Sequence, residues 1–384
     1  SNQNQRTILV TGVGMAKGLN IARSFYLSGH RVIGADFESP NIPCSGRFSR
    51  SLSTFYGLPK AYQDDDAKLY AKRLVDIIKN ENVELWVSCS GVASAIADAR
   101  AKELIERHTS CQCIQFDVQT TSKLHEKGSF MKECKELGLP VPETYEVNST
   151  LDTIRILSAR AKAAPNRRFI LKPVGMDDAN RGNMTLLPLQ SKEETKQYIS
   201  GLPIISDSNP WILQQFIPGG EEYCTHALII RGEVKCFTAC RSAELLMHYK
   251  ALPRKSALWK AMYAFTTEFL RRSPRPETMT GHLSFDFLAS EGPADCSGFE
   301  KGIFAIECNP RAHTAVVLFS QQGREMNEMV CAYLSAIDTL PKGVTTNGNG
   351  APNNTGCSLV IPPTDTHPRY WVGHDLIALF VYPV

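Results

Sequence analysis

The chain has no run of apolar residues close to the roughly 18 that a membrane-spanning helix needs. Charge of one sign is not in excess either, because 42 basic and 39 acidic residues leave a net charge of +3. So small an imbalance gives no reason to expect nucleic acid or an anionic membrane as a partner. The first residues are polar and contain no signal-peptide core. Together these absences predict a soluble, cytoplasmic protein.

The cysteine spacings that mark zinc and redox sites are also missing, although the chain has 12 cysteines. The closest pairs are Cys111 with Cys113 and Cys236 with Cys240, and neither has the CxxC spacing. Most of the cysteines lie in apolar stretches, so we expect reduced and buried thiols. Internal repeats and coiled-coil heptads are absent as well.

What the chain does have, over about its first 115 residues, is an alternation of strand and helix patterns. Such alternation predicts an α/β domain with a doubly wound, Rossmann-like parallel sheet. In chain order the predicted elements are a strand at 6–13, a helix at 19–28, a strand at 30–35, a helix at 68–80, a strand at 84–89 and a helix at 92–107.

A glycine-rich turn joins the first predicted strand to the first helix, with glycines at positions 12, 14 and 18. Phosphate- and dinucleotide-binding folds place glycines in this position. Asp36 ends the next strand, where an NAD enzyme would hold the ribose. The spacing is GxGxxxG rather than GxGxxG, which favours a packing turn or a site for another ligand, with NAD(P) as the alternative.

Beyond residue 120 the pattern changes from alternation to adjacent strands. Residues 123–137 predict one helix, which the run GLPVP at 138–142 ends. The segment 342–356 predicts a loop, and the apolar residues 376–384 are expected to pack on the body. Predicted strands lie at 168–173, 211–217, 223–230, 233–240, 281–289 and 303–308, with a tight antiparallel turn at 231–232 and a long helix at 255–272.

Four separated stretches carry the candidate chemistry: EK at 126–127 with the GLPVP run, FILKP at 169–173 with the loop 174–182, ILQQFIPGGEEY at 212–223, and FDF at 285–287 with IECNPR at 306–311. Together they resemble the ATP-grasp ligases, closest to the branch with carbamoyl-phosphate synthetase and biotin carboxylase. The run NPRAHT at 309–314 and the tail are more similar to small stand-alone ligases, such as the one that forms mycosporine-glycine. The resemblance is good from residue 120 to about 320 and weaker elsewhere.

Two carboxylates and an amide form the candidate metal site. Glu307 and Asn309 are two residues apart on one predicted strand and therefore face the same side, and Asp286 lies on a neighbouring strand. Hard oxygen ligands of this kind suit Mg²⁺ held against nucleotide phosphates, with Mn²⁺ as an alternative. The resemblance implies that these positions bind one or two Mg²⁺ and that Arg311 contacts phosphate or an acyl phosphate. Taken alone, acidic residues on strands are also typical of a solvated or salt-bridged face.

Lysines and the loop after residue 173 are the candidate phosphate ligands. Lys172 ends an apolar strand and opens a loop in which Gly175 lets backbone amides approach phosphate and Arg181 adds charge. The resemblance implies that Lys172 binds the α- and β-phosphates, that the loop closes over them, and that Lys127 lies near the α-phosphate. The alternative for either lysine is an ordinary surface charge.

The third stretch resembles the segment that holds adenine. The resemblance implies that backbone groups of Gln215, Phe216 and Ile217 bind the adenine edge. Glu222 matches the acid that binds the ribose hydroxyls, with Glu221 as the fallback if the register slips by one. The alternative is an ordinary strand followed by a Pro-Gly turn.

Three further features have two interpretations each. Arg241, at the end of a strand, either faces the acyl phosphate or forms an exposed salt bridge. His313 either touches substrate or is a core histidine. Trp371-x-x-His374-Asp375 in the tail is either a lid over the active site or a packing segment.

The chain is therefore predicted to be an ATP- and Mg²⁺-dependent ligase. It would phosphorylate a carboxylate or an enol oxygen and couple it to an amine or amino acid, releasing ADP and phosphate. Arg311, Lys172 and Arg241 are the predicted catalytic residues, and no covalent nucleophile is needed. The alternatives are an NAD(P)-dependent oxidoreductase that uses residues 12–36 and a non-catalytic nucleotide-binding protein.

The resemblance also implies an organisation for the chain. Residues 1–120 would form the Rossmann-like domain, 121–213 the small ATP-grasp lobe, and 214–384 the large lobe with its tail, both lobes having antiparallel sheets. The expected partners are small molecules, and the resemblance suggests a homodimer.

Overall fold

The structure, a computed structural model, describes residues 5–39, 42–60, 64–89, 91–173, 184–207, 209–243, 246–290, 302–319, 321–337, 358–363 and 365–381. The predicted loop at 342–356 lies outside the described residues, as do Gly175 and Arg181.

The first 114 residues build a five-stranded parallel sheet. Its strands are β1 Thr7–Thr11, β2 Arg31–Phe37, β3 Thr54–Leu58, β4 Leu85–Val87 and β5 Gln112–Ile114. They are ordered β3-β2-β1-β4-β5. The centre of β1, residues 8–10, is continuously apolar because both faces of a parallel sheet are covered. Ile8 and Val10 pack on one face, and Leu9 packs on the other.

Helices cover both faces of this sheet, which confirms the predicted doubly wound arrangement. They are α1 Ala16–Leu27, α2 Asp64–Glu81 and α3 Ala95–His108. α1 buries Ile21 and Phe25 in the cluster that contains Ile8. α2 and α3 bury Leu74 and Ile105 in the cluster on the opposite face.

The predicted single helix at 123–137 is wrong. The structure has two helices, α4 Val118–His125 and α5 Lys127–Glu136, separated by Glu126 in an extended conformation. The Glu126 carboxylate accepts hydrogen bonds from the backbone N–H groups of Gly128 at 2.6 Å and Ser129 at 2.5 Å. This side chain therefore caps the new helix and puts Lys127 at its first position.

A three-stranded antiparallel sheet follows, made of β6 Thr144–Val147, β7 Phe169–Pro173 and β8 Trp211–Gln215 in the order β6-β8-β7. Phe169, Trp211 and Leu213 form its core together with helices α6 Thr150–Ala163 and α7 Lys192–Ser200. Residues 214 and 215 still pair within this sheet, so the predicted lobe boundary at 213/214 falls inside β8.

The large antiparallel sheet has four strands, β9 Glu221–Ile230, β10 Glu233–Arg241, β11 Gly281–Ala289 and β12 Ile303–Asn309. Their order is β10-β9-β11-β12. One face is apolar because Phe237, Phe285 and Phe287 alternate with residues of the other face. Helix α8 Ala257–Arg272 covers this face, with Phe265 against Phe285 and Phe287 and Trp259 against Phe237.

The tight turn between β9 and β10 is where the sequence predicts it. Arg231 and Gly232 both have left-handed backbones, with φ of 49° and 79°. A Cβ at Gly232 would come within 2.5 Å of the Pro276 carbonyl oxygen, so only glycine fits there.

The other face of the large sheet packs on the parallel sheet. Leu228 and Cys236 share one buried cluster with Ile8, Phe25 and Tyr333, the last from α9 Gly323–Leu334. The glycine turn of the first sheet and the ends of β11 and β12 are therefore brought to the same seam.

The tail docks earlier than its sequence predicts. Val360 pairs with Cys236, and Trp371 packs on the large sheet before helix α10 Val372–Val381 begins. Within that helix Leu376 is 51% exposed and Phe380 is 79% exposed, and the other side chains of the predicted packing segment 376–384 lie outside the described residues.

Two predictions from absence can be compared with the described residues. None of their helices combines the length and the apolar character that a membrane span requires. The ten cysteines among them are free thiols, of which eight are buried, Cys44 is partly buried and Cys331 is exposed.

Candidate functional site

Strand register brings the three predicted metal ligands and Arg311 together. Asp286 of β11 lies directly opposite Glu307 of β12, and Asn309 is two residues further along the same face. The Asn309 amide donates to the Asp286 carboxylate at 3.0 Å. Arg311 in turn donates from Nη2 to the Asn309 amide oxygen at 2.9 Å. Asp286, Asn309 and Arg311 therefore form one hydrogen-bonded chain, and Glu307 lies beside it in the strand register.

The carboxylates of this group repel each other. Burial raises the pKa of Asp286 to about 7, and the negative charges of Glu307 and Glu222 add to the shift. Arg311 and Lys127 act in the opposite direction on the same pKa. Side chains from α5, β9, β11 and β12 therefore meet at Asp286, and the local excess of carboxylate favours a bound cation.

Arg311 lies at the positive edge of the cluster. Burial lowers its pKa, while Asp286 and Glu307 raise it. Its Nε–H is buried and has no hydrogen-bond partner among the described residues. The guanidinium therefore keeps donor capacity for a ligand.

The two predicted phosphate lysines come from different elements, Lys172 from strand β7 and Lys127 from helix α5. Their charges nevertheless interact. Burial lowers the pKa of Lys172, the charge of Lys127 lowers it further, and Glu222 offsets part of the shift. Two half-buried ammonium groups whose charges interact in this way favour a nearby anion.

Two backbone N–H groups of the predicted adenine segment already donate hydrogen bonds within the protein. The N–H of Gln215 donates to the Glu143 carbonyl at 2.7 Å, and the N–H of Phe216 donates to the Arg168 carbonyl at 2.8 Å. Ile217 follows them and is buried. An adenine ring would therefore have to use Ile217 or carbonyl oxygens rather than the first two N–H groups.

The structure separates the two candidate ribose acids. Glu222 shares the face of Asp286 and acts on its pKa. Glu221 instead accepts a hydrogen bond from the Tyr223 hydroxyl at 2.5 Å and pairs with Arg241 at 3.4 Å. Glu222 is thus the acid that faces the cluster, and no register slip is needed.

Arg241 is not brought to the cluster. It lies opposite Tyr223 in the strand register, on the face of the sheet away from Asp286. Its side chain is 60% exposed and pairs with Glu221. The exposed salt bridge is therefore the interpretation that the geometry favours.

His313 has a structural position. Its Nδ1 accepts a hydrogen bond from the Ala315 N–H at 3.1 Å and caps the short 3-10 helix Thr314–Leu318. Its own N–H donates to Nδ1 of His226 at 3.2 Å. It holds the segment after Arg311 against β9.

Two residues near the cluster were missed by the sequence reasoning. Lys17, in the first turn of α1, is buried and donates to the Ala312 carbonyl at 2.9 Å. Burial, and then the charge of Arg311, lowers its pKa to about 8. Tyr249 is buried, and its pKa is raised by burial, Cys224, Cys240 and Asp286. A lysine inside a glycine turn was a usable signal, but nothing in the sequence around Tyr249 was.

The tail reaches this site through Tyr249. The Trp371 ring packs edge-on against it with centroids 5.7 Å apart. Asp375 pairs with His248 at 3.0 Å. The side chain of His374 lies outside the description, so the predicted lid motif is seen only at its two ends.

The side chain of Asp36 lies against the glycine turn. The Asp36 carboxylate accepts from the N–H of Gly14 and from that of Phe37, both at 2.7 Å. A Cβ at Gly14 would lie 2.9 Å from the same carboxylate. An Asp36 engaged in this way does not present its oxygens to a ribose, which weighs against the dinucleotide interpretation.

The donor set fits Mg²⁺ bound together with a nucleotide. Among the described residues no three His, Cys, Asp or Glu side chains come close enough to hold a metal alone. Mg²⁺ commonly takes one or two carboxylates and completes its shell with phosphate oxygens and water. This coordination pattern fits the oxygens of Asp286, Glu307 and the Asn309 side-chain carbonyl.

No protein-family model and no curated protein matches the chain. Solved structures do. An L-amino acid ligase from Bacillus licheniformis superposes with a TM-score of 0.53 at 14% identity, over 88% of this chain and 76% of that one. N5-carboxyaminoimidazole synthetase from Staphylococcus aureus, complexed with ADP, gives 0.56 at 13% identity, over 89% and 80%.

A third similar structure is the biotin carboxylase domain of the Hydrogenobacter thermophilus 2-oxoglutarate carboxylase, in complex with MgADP, ADP and bicarbonate. It superposes with a TM-score of 0.53 at 14% identity, over 86% of this chain and 70% of that one. The chain therefore has the ATP-grasp fold that its sequence predicts.

Proposed function

We propose that this protein is an ATP- and Mg²⁺-dependent ligase that joins a small acid to an amine or amino acid. The observation that carries the proposal is one group of side chains drawn from both antiparallel sheets. Carboxylates and an amide lie opposite half-buried cations, which is the arrangement phosphoryl transfer needs. The group consists of Lys127, Lys172, Glu222, Asp286, Glu307, Asn309 and Arg311.

The basic residues and the acidic residues have different proposed roles. Lys127 and Lys172 bind the nucleotide phosphates, and Glu222 binds the ribose hydroxyls. Asp286, Glu307 and Asn309 would hold Mg²⁺, with Mn²⁺ as the alternative ion. When bound, the metal neutralises charge on the transferred phosphoryl group.

Arg311 binds the phosphorylated oxygen of the substrate. An amine then displaces phosphate to form the new C–N bond. Gly175 and Arg181 stay proposals for loop closure over the phosphates, and Gln215, Phe216 and Ile217 stay the proposed adenine segment. Two similar structures were solved with ADP or MgADP, which supports the choice of nucleotide.

The proposal extends to substrates, location, assembly and domain organisation. We expect the protein to act on small molecules in the cytoplasm, and a homodimer is the expected assembly. We also keep the three-part organisation with boundaries near residues 120 and 213, although the pairing of β8 favours moving the second boundary beyond Gln215.

The test is a screen of acids and amines for ADP release, with the product identified by mass spectrometry. ADP formation that depends on both an acid and an amine supports the ligase. ATP binding without any substrate-dependent ADP release would support the non-catalytic alternative. Reduction or oxidation of an added nicotinamide cofactor would support the oxidoreductase.

A further inference from the structure

The peptide group between Ala312 and His313, which follows Arg311 directly, is held from two sides. Its carbonyl oxygen, on Ala312, accepts a hydrogen bond from Nζ of Lys17 at 2.9 Å. Its N–H, on His313, donates to Nδ1 of His226 at 3.2 Å. Lys17 lies in α1 and His226 lies on β9, so one partner comes from the parallel-sheet part of the chain and the other from the large sheet.

Every part of this contact is buried. Lys17 is 3% exposed, and His226 and Ala312 are both 0% exposed. A peptide group is planar, so fixing its C=O and its N–H fixes the orientation of the whole plane. Only the two backbone dihedrals of Ala312 separate this plane from the backbone of Arg311. The two hydrogen bonds therefore restrict the direction in which Arg311 leaves the chain.

A lysine at this position needs a reason beyond cohesion between α1 and the segment after Arg311. Burial, and then the charge of Arg311, lowers the pKa of Lys17 to about 8, so the folded protein disfavours the charged ammonium there. Asn20 lies three residues further along the same helix and is 7% exposed. Its amide donates to the Val316 carbonyl at 3.4 Å. A neutral side chain is thus able to join α1 to this segment.

The side chain of Arg311 is oriented from its other end by Asn309. Nη2 of Arg311 donates to the Asn309 amide oxygen at 2.9 Å, and the Arg311 N–H donates to the Asn309 carbonyl at 2.8 Å. The Nε–H is buried and has no hydrogen-bond partner among the residues that the structure describes. The guanidinium is therefore directed by Asn309 on one side and by the peptide group that follows it on the other.

We propose that Lys17 is a positioning residue that acts through Arg311. Together with His226 it holds the Ala312–His313 peptide group, so that the Arg311 guanidinium stays directed at the anion it binds. Lys17 does not itself touch that anion, because its ammonium is bonded to the Ala312 carbonyl. The inference rests on the proposed function, in which Arg311 binds the phosphorylated oxygen, and it adds a residue of the parallel-sheet domain to that site.

A double-mutant cycle tests whether Lys17 acts through Arg311. The probe is inorganic phosphate, titrated calorimetrically into the protein with saturating MgADP. Methionine has nearly the length of lysine but donates no hydrogen bond, so Lys17→Met should weaken phosphate binding about tenfold, in the range of one hydrogen bond to a charged group. Arg311→Met should weaken it at least as much. The double variant should bind phosphate no more weakly than Arg311→Met.

Two further variants separate positioning from cohesion. Asn20→Leu removes a hydrogen bond between the same helix and the same segment, so its Tm should fall while its phosphate affinity stays that of the parent. Lys17→Arg keeps a cationic donor and should bind phosphate more tightly than Lys17→Met. If Lys17→Met does not fold, His226→Leu removes the other hydrogen bond of the same peptide group and provides the same cycle with Arg311→Met.

Turnover is a second readout. For an acid and an amine found by the ADP-release screen, Lys17→Met should lower kcat about tenfold or more, because the charge of Arg311 would be misplaced in the transition state. The half-saturating ATP concentration should stay unchanged, since Lys127, Lys172 and Glu222 are the proposed nucleotide ligands. A merely structural role would change both quantities together with the Tm.

Three results would overturn the inference. Parent-like phosphate affinity in Lys17→Met would mean that Lys17 does not position Arg311. A double variant weakened by the product of the two single effects would mean that Lys17 acts independently of Arg311. Absence of phosphate binding in the parent would remove the role of Arg311 and the inference with it. None of these results affects the Tm response to MgATP, whose absence would instead contradict the proposed function.

Discussion

At the scale of single residues, Asp286 is the point where the separate stretches of sequence meet. Its pKa is raised by burial, Glu307 and Glu222 and opposed by Arg311 and Lys127. Strand parity predicts that Glu307 and Asn309 share a face. It does not predict that Glu222 joins them, because that depends on which strand lies beside β11.

Glu307→Gln should lower the rate of ADP release on the order of 100-fold. The reason is that the site would lose one of the charged oxygens that would hold Mg²⁺ against the transferred phosphoryl group. The fold should be kept, since the substitution preserves shape. Steady-state ADP release and the circular dichroism spectrum measure the two effects. A rate within a few-fold of the parent would mean that Glu307 does not hold the metal.

The two neighbouring acids provide a second residue-scale prediction. Glu222→Gln should raise the half-saturating ATP concentration several-fold, because Glu222 faces the cluster. Glu221→Gln is the matched control and should leave that concentration unchanged, since Glu221 is engaged by Tyr223 and Arg241. The opposite pattern would assign the ribose to Glu221.

At the scale of elements, the break between α4 and α5 decides where Lys127 lies. The sequence predicts one helix because residues 123–137 show continuous helical periodicity. The Glu126 side chain ends that continuity by capping the backbone N–H groups of Gly128 and Ser129. A local side-chain bond outweighs the intrinsic propensity here.

Glu126→Ala should therefore cost about 1 kcal/mol in the free energy of unfolding, the usual loss for a helix cap. It should also weaken ATP binding, because Lys127 is the first residue of the capped helix. Urea unfolding and ATP titration measure the two effects. Glu136→Ala, at the other end of α5, is the control and should leave ATP binding unchanged.

At the scale of the whole molecule, the site exists only where both antiparallel sheets meet. A ligand that binds the native state raises the Tm by mass action. MgATP should therefore raise the Tm of the full chain, whereas NAD and NADP should not, because Asp36 is engaged by Gly14 and Phe37. A Tm increase with NADP alone would favour the oxidoreductase.

Two buried histidines between the parallel sheet and the large sheet make the free energy of unfolding depend on pH. Burial, and then the charge of Lys17, lowers the pKa of His282 to about 3, and His226 is lowered well below its usual range mainly by burial. The unfolded chain binds protons on these rings below about pH 6.5, whereas the folded chain does not. Stability is therefore fully present above that pH and falls as the pH is lowered toward 3.

For each buried neutral histidine, the free energy of unfolding should fall by about 1.4 kcal/mol for every unit by which the pH is lowered within that window. His282→Gln should remove one such contribution from the slope, and His108→Gln, at an exposed helix end, is the control. Urea unfolding at a series of pH values gives the slopes. Equal slopes in the parent and His282→Gln would mean that His282 does not stay neutral.

The sequence by itself determined the local elements and the chemistry that each one carries. Alternating apolar runs predicted the parallel sheet, and adjacent strands with a glycine turn predicted antiparallel pairing. Two-residue spacing put Glu307 and Asn309 on one face. These features depend on residues that are close in the chain, so periodicity and turn chemistry are sufficient to find them.

Only the tertiary structure decided which of those residues meet. The register of β9, β10 and β11 brings Glu222 to Asp286 and turns Arg241 to the opposite face. Docking of the parallel sheet joins Lys17 to the residue after Arg311. A shift of one residue in strand pairing would reverse every face, and the sequence of one strand does not encode its register against another.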